Sequence, residues 1–277
     1  MDLDALTEHD RVMLLEQAFS SVDELCDHLG EDDWDRPTDL PGWTVQDNLS
    51  HLVSYEAAAL GRPRAPADLD VSKYPYVTSE FQAANEREVE LRRARTGAEV
   101  VAEFREVIPL RIKSLAELDQ SRDSRPDESP IGFSRRWGDF LLIRSSDFFY
   151  HEQDMRRASG NPGHLRGAVA LMVFERVGRR LMPRVAAKDA ALPDGTTVAF
   201  DIDAPAEPFG VTVDAGRGIL VEQPHKAAAR IAADFEAWLC LVGGRWSVAR
   251  AGDEGRLRID GDQAIATRLL DKIVVMP

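Results

Sequence analysis

Cysteine is scarce in this chain: there are two in 277 residues, Cys26 and Cys240. Each falls in a helical apolar pattern, far from the other, so both read as small buried hydrophobes and neither a disulfide nor a cysteine metal pair is expected. Long apolar runs are missing, and none reaches the roughly 18 residues that a membrane-spanning helix needs. The opening Met1-Asp2-Leu3-Asp4 is acidic and has no basic-then-apolar leader, so the expected location is the cytoplasm. Positive charge is in deficit: 34 Lys and Arg against 48 Asp and Glu give a formal net charge of −14. That balance counts against a nucleic-acid backbone as partner. There is no phosphate loop, dinucleotide fingerprint, Gly-x-Ser-x-Gly elbow or Cys-x-x-Cys pair, which removes the chemistries those motifs serve. Internal repeats and low-complexity tracts are absent too.

What is present suits a globular protein of two domains, with 44% apolar and 30% charged residues. Residues 9–29 carry Val12, Leu15, Phe19, Val22 and Leu25 at three- and four-residue spacing, which predicts a helix stopped by Gly30. Thr44 followed by Asp47 resembles a capping box and starts a second helix that runs to about Leu60. On its wheel Val45, Leu49, Leu52 and Val53 form one apolar stripe. His51 lies off that stripe, with Asp47 and Tyr55, and faces either solvent or a more polar cavity. Residues 61–79 are Pro-rich and irregular, a loop able to lie over a site. A third, charged helix is predicted over 79–120, broken near Thr96-Gly97, with Pro109 expected to kink or end it. After a polar loop at 121–130, a fourth helix runs from about Arg136 to Ala158. Four such helices make a four-helix bundle. Trp34, Trp43 and Trp137 read as core and capping contacts rather than ligand platforms.

Beyond residue 162 the texture changes to α+β. One more helix is predicted over 165–187, then strands at 196–202, 209–213 and 218–221, the last two joined at Asp214-Ala215-Gly216. Asp234 is placed to cap a helix that Gly243-Gly244 ends, and a final amphipathic helix covers 262–272. The expected domains are therefore 1–162 and 163–277.

Within the fourth helix, Asp147 and His151 stand four residues apart, one above the other on one face. With His51 they make two imidazoles and a carboxylate, a set that suits a catalytic zinc with one position open, although other divalent ions accept the same ligands. An exposed Asp–His pair is the plainer alternative. Asp154, three residues after His151, is placed either to orient its ring or to pair with a neighbouring arginine on the surface. The clusters Arg92/Arg93/Arg95, Arg135/Arg136 and Arg156/Arg157 read as solvated helix faces or as a positive rim for an anionic ligand.

Two segments carry a resemblance. Leu40-Pro41-Gly42-Trp43-Thr44-Val45-Gln46-Asp47, with His51-Leu52 after it, and Tyr150-His151-Glu152-Gln153-Asp154-Met155-Arg156-Arg157-Ala158-Ser159-Gly160 resemble the signatures of the mycothiol-dependent maleylpyruvate isomerase family. More loosely, Ala237-Trp238-Leu239, Gly244-Arg245 and Asp260-Gly261-Asp262 look like that family's second domain. The resemblance implies a DinB-like four-helix bundle followed by a sterol-carrier-like α+β domain. It implies a divalent metal, usually zinc, held by His51, His151 and Asp147, the last standing where the family usually has Glu and one methylene shorter. It implies mycothiol as thiol cosubstrate and a small electrophilic substrate, with isomerase or S-transferase chemistry. Arg245 is then either a helix-terminus cation or a group that meets an anionic substrate, with Arg144 a weaker candidate for that task. The competing readings are a small-ligand-binding protein with a vestigial site and a metal-dependent hydrolase.

Overall fold

A computed structural model describes residues 1–117, 137–203, 205, 207–222, 224 and 226–275. The 121–130 loop, Arg135, Arg136 and the side chain of Trp137 lie outside the described residues. The chain divides into two compact units, Ala5–His164 and Leu165–Pro277, the second of which includes Met1–Asp4.

The first unit is helical: α1 Glu8–Cys26, α2 Val45–Ala59, α3 Glu80–Glu90, α4 Gly97–Glu117 and α5 Trp137–Ser159. α1 packs against α5 and α4, while α2 packs against α4, α5 and α3. α1, α2, α4 and α5 thus make the bundle, and α3 is an additional helix laid on α2. The core is aromatic where α1, α4 and α5 meet: Phe148, fully buried, sits edge-on to Phe19 at 4.7 Å and 6.5 Å from Phe104. Burying each such ring is worth about 1.5–3 kcal/mol. With three helices around it, α2 is buried at every position from Val45 to Ala57. His51 therefore has no route to solvent from its own helix, and the polar-cavity alternative is the one realised.

Local signals behave as their chemistry dictates. Thr44 Oγ1 accepts from the Asp47 amide at 3.2 Å and Asp47 Oδ2 accepts from the Thr44 amide at 3.0 Å, a complete capping box. Three expectations need correction. α1 ends at Cys26, and Gly30 instead precedes the short 3-10 turn Glu31–Asp33, its amide donating to Asp33 at 2.8 Å. Pro109 does not end α4, which continues to Glu117. It lies on the exposed side, where water can serve the Arg105 carbonyl it leaves without a donor, while Phe104, Val107, Ile108 and Leu115 anchor the helix on its buried side. Among the described residues, the clusters Arg92/Arg93/Arg95 and Arg156/Arg157 are neither bare solvated faces nor a free positive rim. Arg92 and Arg95 both pair with Glu103, Arg93 with Asp47, Glu86 and Glu90, Arg156 with Glu152, and Arg157 with Asp39 and Asp154.

Cys26 and Cys240 are both free and buried. Burial, with Asp23 beside it, pushes the Cys26 thiol up to about 12. At pH 8 its reactive thiolate is therefore a very small fraction, and the folded protein is expected to leave Cys26 unlabelled by a disulfide-exchange reagent until denaturant is added. Rapid labelling of Cys26 in a Cys240→Ala protein under native conditions would contradict this.

The second unit holds a five-stranded sheet ordered β3-β2-β1-β4-β5, from β1 Thr197–Ile202, β2 Phe209–Asp214, β3 Arg217–Val221, β4 Ala229–Ala233 and β5 Leu257–Gly261. β1 and β4 run parallel; the other neighbours are antiparallel. The β2–β3 turn places Ala215 and Gly216 at φ +47° and +72°, the two positive values a two-residue hairpin of this hand requires. The helix expected over 165–187 is divided: α6 Ala168–Val173, a π-type segment Phe174–Arg179, α7 Met182–Arg184 and a second π-type segment Val185–Asp189. The first π-type segment leaves the Gly178 carbonyl to accept from Trp238 Nε1 at 3.0 Å. Trp238 in turn packs on Phe200, which stacks with Phe209 at 4.7 Å. α8 Phe235–Val242 is capped by Asp234, whose side chain accepts from the Ala237 amide, and is followed by α9 Val248–Asp253 and α10 Gln263–Leu270.

Candidate metal centre

The facing sides of α2 and α5 bring His51, Asp147 and His151 together, with one donor atom from each within 4.8 Å of the others. His51 Nε2 stands 3.3 Å from Asp147 Oδ2, and His151 Nε2 stands 3.5 Å from Asp147 Oδ1. Ligand atoms held about 2.0–2.2 Å from a tetrahedral ion are separated by roughly 3.3–3.6 Å, and each imidazole stands at such a distance from one oxygen of Asp147. The shorter carboxylate of Asp147 reaches both imidazoles, each oxygen facing one ring. The imidazole side chains are 7% exposed and that of Asp147 is 24% exposed, so access to the centre is from the Asp147 side.

Protonation also favours a ligand set. Burial lowers His51 below the usual histidine value, against the opposing pull of Asp147, which leaves it neutral at neutral pH. Asp147 is raised by burial, but Arg144, His51 and His151 outweigh that and hold it well below the usual carboxylate range. His151 Nδ1 lies 2.7 Å from Asn48 Oδ1. The Asn48 amide nitrogen donates to the Thr44 carbonyl at 2.8 Å and to Thr38 Oγ1 at 3.2 Å, which fixes its oxygen toward the ring. His151 Nδ1 therefore donates to Asn48, and Nε2, the nitrogen turned to Asp147, is the ring's candidate ligand atom. His51 Nδ1 has no hydrogen-bond partner among the described residues.

Asn48 is the residue that sequence reasoning missed. Of the two expectations for Asp154, the pairing with an arginine is present, with Arg157 at 2.5 Å, while its carboxylate stands 4.0 Å from His151 Nδ1 and Asn48 makes the direct hydrogen bond to that nitrogen. The available signal was its place on α2, one turn before His51 and buried. Asn48→Ala is expected to weaken metal binding roughly 10–100-fold, the usual cost of losing a ligand's outer partner, with the fold retained. Chelator competition measures it, and an unchanged dissociation constant would remove Asn48 from the centre.

Arg144 is not an open cation for substrate. Its Nη1 donates to Asp147 Oδ2 at 2.5 Å, its Nε and Nη2 donate to Glu56 Oε1 at 3.0 and 2.8 Å, and its guanidinium lies 3.7 Å from the Tyr55 ring centroid. Glu56 also accepts from Arg111 Nε at 2.8 Å. Arg144 thus bridges Glu56 and the ligand candidate Asp147, and Glu56 is shared by two guanidinium groups. Arg245, in the second unit, donates from Nη1 to the Gly243 carbonyl at 2.8 Å, just beyond α8.

Comparison with known proteins agrees with this layout. Residues 174–271 match the model of the SCP-2 sterol transfer family. No curated protein sequence matches the chain. Among solved structures, the mycothiol-dependent maleylpyruvate isomerase is similar at a TM-score of 0.55 and 14% identity, over 90% of this chain and 93% of that one. A histidine-to-alanine mutant of that isomerase is similar at a TM-score of 0.54 and 14% identity, over 89% and 93%. At that identity the likeness establishes the fold, a helical domain followed by an α+β domain. The helical unit is more specific: residues 15–156, which contain all three ligand candidates, match the model of the mycothiol maleylpyruvate isomerase N-terminal domain, and the chain belongs to that family.

Proposed function

We propose that this protein is a metal-dependent enzyme that uses mycothiol or a similar low-molecular-weight thiol to isomerise an electrophilic small molecule. The observation that supports it is the convergence of His51, Asp147 and His151 from α2 and α5 in a chain of this family. A divalent ion held there, zinc being the ion that suits a two-histidine, one-carboxylate set, lets a thiol act as its thiolate near neutral pH, where a free thiol with a pKa of about 8.5 is mostly protonated.

The protein's own groups set the conditions for that chemistry. His51 and His151 offer Nε2 and Asp147 its carboxylate. Asn48 holds His151 in the right tautomer, and Arg144 keeps Asp147 ionised. In the proposed reaction the thiolate sulfur bonds to a carbon of the substrate's conjugated double bond, the resulting single bond rotates, and the sulfur leaves with its electron pair to re-form the double bond in the other geometry. Retention of the sulfur, with a proton from water taken up at the neighbouring carbon, instead makes the reaction a transfer. Asp154 is assigned a supporting charge behind His151.

The test is metal content of the purified chain, then turnover of a maleyl-type conjugated acid with mycothiol, with and without chelator. Stoichiometric metal and thiol-dependent, chelator-sensitive turnover are expected. Metal with thiol-independent hydrolysis overturns the thiol reading, and a metal-free protein that only binds small molecules overturns the enzyme.

A further inference from the structure

Trp43 does more than fill the core. Its ring lies 5.6 Å from the His151 ring at an interplanar angle of 27°, and 5.2 Å from the His51 ring at 46°. One indole therefore touches both imidazoles, which are themselves 4.7 Å apart. Its Nε1 donates to Glu86 Oε2 at 2.8 Å.

Glu86, on α3, is 1% exposed, and its other oxygen accepts from Tyr76 at 3.1 Å. Arg93 pairs with Glu86 at 2.6 Å and with Asp47 at 3.1 Å, which returns the network to the first turn of α2, one turn before His51. Tyr76 closes over the backbone ahead of Trp43: Gly42 adopts φ +79°, and a Cβ there would meet the Tyr76 ring at 2.0 Å. A tryptophan serving only as core needs apolar neighbours and any acceptor for its N–H. This one is held by a buried, charge-compensated carboxylate, at a desolvation cost that a neutral acceptor would avoid.

We propose that Trp43 is a positioning residue for the two metal-ligand imidazoles, and that Glu86, with Arg93 and Tyr76, fixes the indole in place. The stack restricts both rings to orientations in which their Nε2 atoms face Asp147. In this view α3 and the 61–79 segment form a clamp whose contact with the centre is Trp43. The inference rests on the metal reading above and adds what sets the geometry of its ligands.

The experiment measures Zn2+ affinity by chelator competition, Co2+ absorption and Zn2+-induced tryptophan emission on the full chain. Trp43→Ala is expected to weaken Zn2+ binding roughly 10–100-fold and Glu86→Ala about 10-fold, as for other partners that orient ligands, with the Co2+ bands altered in both. Trp43→Phe and Glu86→Gln, which keep the ring face and the acceptor oxygen, should recover most of the affinity. Zn2+ should change the emission of the wild-type chain but not that of Trp43→Phe. If Trp43→Ala does not fold, the Glu86→Ala affinity and the Trp43→Phe emission decide. Wild-type affinity in Glu86→Ala together with an intact emission response in Trp43→Phe overturns the clamp and leaves the metal reading standing. A wild-type chain that binds neither Zn2+ nor Co2+ overturns both.

Discussion

Replacing Glu56 with alanine is expected to destabilise the helical unit by about 3–5 kcal/mol, the range for breaking a buried ion pair from one side. Glu56 is fully buried, as are its partners Arg111 and Arg144, at 3% and 2% exposure. Removing it takes away the carboxylate that Arg111 and Arg144 share and leaves two guanidinium groups in a dry interior with less compensating charge. That penalty exceeds anything expected of the many surface pairs in this chain, such as Arg105 with Asp23 and Asp27, since exposed pairs typically contribute no more than about 1 kcal/mol. Glu56→Gln, which keeps an acceptor but not the charge, should fall between wild type and alanine. The measurement is urea unfolding followed at a helical far-ultraviolet wavelength. A loss below about 1 kcal/mol, near what one ordinary hydrogen bond contributes, would mean that the network does not hold α2, α4 and α5 together.

The second large effect is on the ion. His51→Ala and His151→Ala should each lower Zn2+ affinity by well more than the roughly 10–100-fold that follows loss of an outer partner, because a ligand atom itself is gone. Both variants should purify with little metal while keeping the helical spectrum, since either change removes a ring without stranding a buried charge. Asp147→Asn should lose metal as well and also be less stable, because Arg144 then loses half of its charge compensation. This difference separates ligand from scaffold: the histidines act on the ion, and Asp147 acts on the ion and the fold. Undiminished, stoichiometric metal in both histidine variants would end the metal reading.

These expectations show how far the residues alone could lead. The Thr44–Asp47 capping box, the Asp214–Gly216 turn, the Asp234 cap and the Asp147–His151 pair were legible because each depends on neighbours within a few positions. His51 was legible as an exception to its helix's apolar stripe, but its direction was not. That required knowing that α2 is enclosed by α3, α4 and α5. Whether Pro109 would end its helix was not legible, because that depends on which side of α4 the ring occupies, and the division of the helix after Ala168 shows in no local spacing.

What the sequence by itself determined is therefore the local chemistry: where helices start, where strands turn, and which side chains can ligate. Together with two signature segments, it also indicated the kind of bundle and second domain. What only the tertiary structure decided is which distant groups share a dielectric cavity. Asn48 meets His151 across 103 residues, Glu56 meets Arg144 across 88, and Trp43 meets Glu86 across 43. No periodicity encodes such pairings, because they follow from helix packing, and it is burial that turns each from an ordinary polar contact into a constraint on its neighbours.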